Sequence, residues 1–157
     1  MTAFDRRLLT RFVRLAGDRL TGDWVVMGGI VLPLLGVEHR VTVDIDLAGP
    51  ADATNAETFA LMEIAERLGL APESINQAGA HFLHRVRGWQ DDLVLLHQGR
   101  RARLHRPGVT LFVLLKLSRL SESDLADCRA GHLGEVLMGD LGRTAHFAGQ
   151  HDAVGRA

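Results

Sequence analysis

Val41-Thr-Val-Asp-Ile-Asp-Leu47 alternates without a break, with Val41, Val43, Ile45 and Leu47 on one side and Thr42, Asp44 and Asp46 on the other. Period-two alternation is the mark of a half-buried β-strand. It puts two carboxylates on the polar face, one residue apart, while Ile45 between them anchors the strand in the core. Two such carboxylates need metal or protons between them, and they stand near enough to share divalent cations.

Upstream, Trp24-Val-Val-Met27 is rich in β-formers and stops at Gly28-Gly29, after which Ile30 to Leu35 is short and apolar. The pattern predicts a strand, a tight turn and a short helix, with Pro33 accommodated in that helix's first turn. Glycines at a strand-to-helix turn let a phosphate approach backbone N–H groups, and a helix dipole favours anions. Phosphate on one side and metal on the other describes a nucleoside triphosphate site. Each half is ambiguous alone, since Asp-x-Asp is often a solvated polar face and Gly-Gly a plain tight turn. The site reading rests on their combination.

Working outward, Thr2-Ala-Phe-Asp5 has the form of a capping box, and Phe4, Leu8, Phe12 and Leu15 then recur at helical spacing with arginines opposite, up to about Gly17. Thr54-Asn-Ala-Glu57 is a second capping box, opening a helix of about three turns with Phe59, Met62, Ala65 and Leu68 inward and Gly69 as its stop. The signal from Ala71 to Gly88 is mixed. Asp92 to His97 reads as a strand, Arg100 to Arg106 as a basic segment, and Val109 to Leu120 as a buried helix broken by Lys116 and Arg119. Ser121-Glu-Ser-Asp124 can cap a last helix to about His132. We expect one domain over residues 1–138 and a loosely attached tail over 139–157.

Composition bounds the rest. The 157 residues are 46% hydrophobic and 24% charged, with 18 basic against 19 acidic side chains and a formal charge of -1. This is globular composition, without an overall field for nucleic acid or an anionic membrane, so such binding would be local. The single Cys128 forms no intramolecular disulfide, and no stretch reads as a signal peptide or a membrane span; the expectation is a cytoplasmic protein with no membrane role.

Gly28-Gly29, a spacer with Gly36 and Arg40, and then Thr42-x-Asp44-x-Asp46-Leu47 resemble the nucleotidyltransferase superfamily. The similarity is greatest to its AbiEii-like, minimal-nucleotidyltransferase branch, where Gly-Gly replaces the usual Gly-Ser. Leu115-Lys116-x-x-Arg119 followed by Asp124-Leu-x-Asp127 is similar to the paired helices that complete that family's site. The resemblance implies an α/β (α+β) fold, a mixed β-sheet flanked by helices. It implies Mg²⁺ (or Mn²⁺) at Asp44 and Asp46, and transfer of a nucleotidyl group to an acceptor hydroxyl with loss of pyrophosphate. It also implies a third carboxylate, for which Asp92 is the choice and Asp91 the rival. Lys116 and Arg119 become nucleotide contacts, with Thr42, Asp124 and Asp127 in support.

An ammonium in an otherwise apolar helix needs an anion or a route to solvent, which suits Lys116 to phosphate, although snorkelling at a helix end would also serve. The acceptor could be tRNA, a protein or a small molecule, and the AbiEii-like branch suggests a toxin with a cognate antitoxin or a homo-oligomer. Against this stand a non-catalytic nucleotide-, RNA- or protein-binding module of the same fold, and a metal-dependent phosphoester hydrolase. The run Arg100 to Arg106 reads more readily as a solvated basic strand than as a steering patch, and His81-x-x-His84 more readily as a structural pair than as a metal site.

Overall fold

A computed structural model describes residues 6–37, 44–50 and 55–118. Helix α1, Arg6–Arg19, buries Leu8, Leu9, Phe12 and Ala16 and exposes Arg7, Arg11 and Arg14, as its amphipathic spacing requires. It runs two residues past Gly17. Strand β1, Gly22–Met27, is buried over its last four residues, which accounts for an apolar run without alternation. A 3-10 turn, Gly28–Ile30, leads to the four-residue helix α2, Val31–Leu34. Pro33 falls in its first turn, where a missing N–H removes no helical bond.

Strand β2, Ile45–Ala48, has Ile45 and Leu47 fully buried and Asp46 half-buried, while Asp44 immediately before it is exposed. Residues 41–43, including Thr42, lie outside the described residues. Helix α3, Asn55–Leu68, has about four turns at 3.6 residues each, one more than its sequence suggested. Its end is closed by Leu70 N–H donating to the Ala65 carbonyl (2.9 Å) and Gly69 N–H to that of Glu66 (3.0 Å), with Gly69 at φ +70°. This is the glycine-terminated arrangement anticipated there.

The inward face of α3 differs from expectation. Leu61, Ile64, Ala65 and Leu68 are buried, whereas Phe59 is 69% and Met62 46% exposed. Steps of three residues turn the helix by about 300° each, so positions 59, 62, 65 and 68 spread over about 180° and cannot share one neighbour. Positions 61, 64, 65 and 68 stay within about 100°, which is the width of a packing face.

The remaining elements are β3 (Ile75–Asn76), α4 (Ala80–Arg85), a 3-10 turn at Trp89–Asp92, β4 (Leu93–Gln98), β5 (Ala102–Pro107) and α5 (Val109–Leu117). The architecture is mixed α/β, a five-stranded sheet ordered β3-β2-β1-β5-β4 and flanked by helices. β1 pairs antiparallel with β2 and parallel with β5, and β2 pairs parallel with β3.

The chain divides into two compact units, the first of residues 1–30, 40–80 and 95–106 and the second of residues 31–39, 81–94 and 107–157. The tail anticipated over 139–157, with Cys128 and the last helix, lies outside the described residues. In the first unit α1 packs on α3, where Arg19 bridges to Glu63 at 2.7 Å and Arg11 donates to the Arg67 carbonyl at 3.3 Å. Trp24 is fully buried and donates its indole N–H to the Thr21 carbonyl. In the second unit Val31, Leu32, Leu35, Val109 and Phe112 pack as one buried apolar cluster.

The alternation of β2 predicts opposite responses from adjacent positions. Ile45→Ala should lower the free energy of unfolding by about 2–5 kcal/mol, whereas Asp46→Ala should change it by less than about 1 kcal/mol, as read by urea denaturation. A second prediction concerns Asp18, whose carboxyl is held below the ordinary aspartate range by its side-chain hydrogen bond from Arg100. A lowered folded-state value stabilises the fold above the ordinary carboxyl range, and that contribution disappears as pH falls through the lowered value. Arg100→Ala, which keeps the backbone N–H donor of residue 100, should raise the Asp18 titration, followed by NMR, toward the ordinary range.

Candidate active site

The antiparallel register of β1 and β2 pairs Met27 with Asp46, so the strand carrying the carboxylate passes directly beside the end of β1. Gly28 follows there with φ +78°, a left-handed conformation that L side chains rarely adopt. A Cβ on Gly28 would lie 2.7 Å from Asp46 Oδ2. The glycine therefore serves twice, allowing the backbone turn and leaving room for a carboxylate against it. The two features whose combination the sequence reading rested on lie in contact.

Asp44 and Asp46 lie on the polar face, opposite the fully buried Ile45 and Leu47. On the far side of β2, Asn76 of β3 is the register partner of Asp46. Its Oδ1 accepts from the Ala78 N–H at 3.0 Å and so shapes the turn that brings Gly79 round. A Cβ on Gly79 would stand 3.0 Å from Met27 Cε and 3.5 Å from Asp46 Cβ. Asn76 and Gly79 are site neighbours that sequence reasoning missed. The Asn-x-x-Gly spacing marks a turn, but nothing local says that the turn meets Asp46.

The helix expected after Gly28-Gly29 is present but brief. A 3-10 turn and four α-helical residues align few peptide dipoles, so a macrodipole adds little here. Gly28 is half-buried and Gly29 buried, so the backbone open to solvent at this turn is that of Gly28.

The second unit holds the other described candidates. Asp91 is exposed, whereas Asp92 is only 1% exposed. Asp92 Oδ2 accepts from the Leu111 N–H at 2.9 Å, and its carbonyl accepts from the Gly108 N–H at 2.8 Å. Leu111 is the third residue of α5, so Asp92 caps that helix from a distant point in the chain. A side chain on Gly108 would collide with the Asp92 carboxylate.

Lys116 lies in the last turn of α5, only 5% exposed, with Nζ 5.8 Å from the centre of the Phe112 ring. It is the one lysine among the 18 lysines and arginines of the chain. Arg119, Asp124 and Asp127 lie outside the described residues.

The basic segment is largely occupied. Arg100 pairs with Asp18 at 3.1 Å, Arg103 with Asp23 at 2.7 Å, and Arg101 donates to Thr21 Oγ1 at 3.1 Å. His81 and His84 are both exposed on α4, where His81 meets the Phe82 ring and His84 the Trp89 ring. Among the described residues no group of three or more His, Cys, Asp or Glu side chains is placed to hold a metal ion.

The capping role of Asp92 is testable by stability. Asp92→Ala should cost about 1–3 kcal/mol in urea unfolding, because it strands the buried Leu111 N–H. Asp92→Asn, which keeps an acceptor oxygen, should recover most of that loss.

Neither a curated protein nor a solved structure matches the chain. A family model does, over residues 7–151, which is nearly the whole sequence and includes the Gly-Gly turn and both aspartates. The protein belongs to this family, described as nucleotidyltransferases of unknown function (DUF6036).

Proposed function

We propose that the protein transfers a nucleoside monophosphate from a nucleoside triphosphate to an acceptor hydroxyl, with Mg²⁺ or Mn²⁺ held by Asp44 and Asp46. The observation that carries this reading is the Asp46 carboxylate lying against the backbone of Gly28. A phosphate admitted to that glycine turn would stand beside hard oxygen donors.

The donor set fits such a metal. Mg²⁺ keeps several waters and is commonly bound through one or two carboxylates plus substrate phosphates, not by an all-protein cage. An exposed Asp44 and a half-buried Asp46 offer that many carboxylates with access for water and phosphate. When bound, the ion supplies neutralisation of charge developing on the phosphate oxygens.

The acceptor oxygen forms a bond to the α-phosphorus as the bridging bond to the β-phosphate breaks. Pyrophosphate leaves with the bond's electron pair, and the hydroxyl proton passes to a carboxylate or water. Gly28 admits the phosphates close to the main chain, and the buried Gly29 continues the turn behind it. Lys116, and Arg119 three positions later in the sequence, are the cations suited to phosphate charge. For a third carboxylate Asp92 is the choice over Asp91, and it also fixes the helix that carries Lys116.

The Gly-Gly form of the turn favours the AbiEii-like, minimal-nucleotidyltransferase branch, and with it a toxin role with a cognate antitoxin. The test is incubation with α-³²P-labelled nucleotides, Mg²⁺ and extracts containing RNA and protein. Label should enter an acceptor with release of pyrophosphate, and Asp44→Asn or Asp46→Asn should lower the rate by at least about a hundredfold. Nucleotide binding without transfer would make the protein a binding module, and release of free nucleoside monophosphate would make it a hydrolase.

A further inference from the structure

Arg7, Arg11 and Arg14 are exposed on α1 at spacings of four and three residues, which puts them on one line along the helix. Asp18 continues that line, roughly 16 Å from Arg7 at 1.5 Å per residue. Among the described residues, no carboxylate pairs with any of the three arginines.

The line does not stop at the end of the helix. Arg101 N–H donates to the Gly17 carbonyl at 3.0 Å, and Gly17 and Gly99 pack so closely that a Cβ on Gly17 would stand 2.9 Å from Gly99 Cα. Two glycines thus seat the β4–β5 turn on the last turn of α1. They bring Arg100, its side chain 82% exposed, onto Asp18 and Arg101 beside it. Five arginines thus lie along α1 and the turn seated on its end, of which Arg100 alone is paired with Asp18, in a chain whose formal charge is -1.

Beside them, α3 presents Phe59, 69% exposed, over a groove of about 460 Å³ lined by Arg19, Thr21, Glu57, Glu63 and Arg101. Neighbouring helix axes lie about 8–10 Å apart. An arginine line with an exposed aromatic one helix away matches a polymer that carries phosphates along one edge and flat apolar rings along the other.

We propose that the outer face of α1 and α3 binds a single-stranded nucleic acid, with its phosphates along Arg7, Arg11 and Arg14 and a base on Phe59. Guanidinium forks pair with phosphate oxygens in two-point contacts, and bases stack on aromatic rings without regard to sequence. At the groove Glu63 is already neutralised by Arg19 and Arg67, and carboxylate oxygens there can accept hydrogen bonds from base amino groups. As the acceptor of nucleotidyl transfer, this ligand rests on the function proposed above; its binding does not.

The experiment is fluorescence anisotropy of the full chain with labelled twenty-nucleotide oligouridylate and oligothymidylate, in EDTA and without nucleotide, across a salt series. EDTA separates the outcome from whether Asp44 and Asp46 hold a metal. Binding should weaken with salt, with a log–log slope of about -0.7 for each phosphate contact. The combined R7Q, R11Q and R14Q variant, shown folded by circular dichroism, should make the slope shallower by about 2.

Phe59→Ala should leave the slope unchanged and weaken binding roughly tenfold. R85Q with R87Q, exposed arginines elsewhere, should change neither. Tighter oligouridylate binding would identify the ligand as RNA, tighter oligothymidylate binding as DNA, and either result supports the surface. The proposal is overturned if neither oligonucleotide binds, if the α1 variant keeps the wild-type slope, or if vesicles containing phosphatidylserine bind where the oligonucleotides do not.

Discussion

The antiparallel register of β1 with β2 is the constraint on which the rest of the candidate site depends. It sets Asp46 opposite Met27, and the next residue of β1's chain is a glycine in a left-handed conformation. A slip of one residue would exchange Ile45 and Leu47 for the aspartates on the core face, so burial of the apolar pair and presentation of the acidic pair are one choice. Core packing therefore fixes which face the carboxylates occupy. The carboxylate lies where only a glycine leaves space for it, so a side chain at position 28 would disturb the turn and the carboxylate together.

Features encoded by short-range periodicity were legible in the sequence. The strand bearing the two aspartates, the turn at Gly28-Gly29, the amphipathic α1 and the glycine stop of α3 each need only a few neighbouring residues to be recognised. The mixed sheet with flanking helices and membership of the nucleotidyltransferases followed from those same residues. The face of α3 was misjudged for a geometric reason, since a strict three-residue spacing drifts round the helix and leaves Phe59 and Met62 outside.

What the sequence did not show is carried by contacts between distant segments. Asn76 and Gly79 reach Asp46 through a parallel pairing with a two-residue strand, too short to produce a periodic pattern. Asp92 looks like one more carboxylate at the head of a strand, yet one of its oxygens caps a helix that begins 17 positions later. The arginines of α1 and those at 100 and 101 become one surface only because Gly17 and Gly99 let helix and turn touch. In each case the deciding information is a close approach between parts of the chain far apart in sequence.

The central claim is that Gly28 and the acidic pair form one metal–phosphate site, and the most direct measurement is paramagnetic broadening in a ¹⁵N-labelled sample. With a non-hydrolysable triphosphate analogue present, substoichiometric Mn²⁺ should selectively broaden the amide signals of Gly28, Gly29, Asp44 and Asp46. Signals from α1 and from the turn at Gly99 should persist. Broadening centred elsewhere, or none in the 28–29 and 44–46 segments while the analogue is bound, would contradict the account.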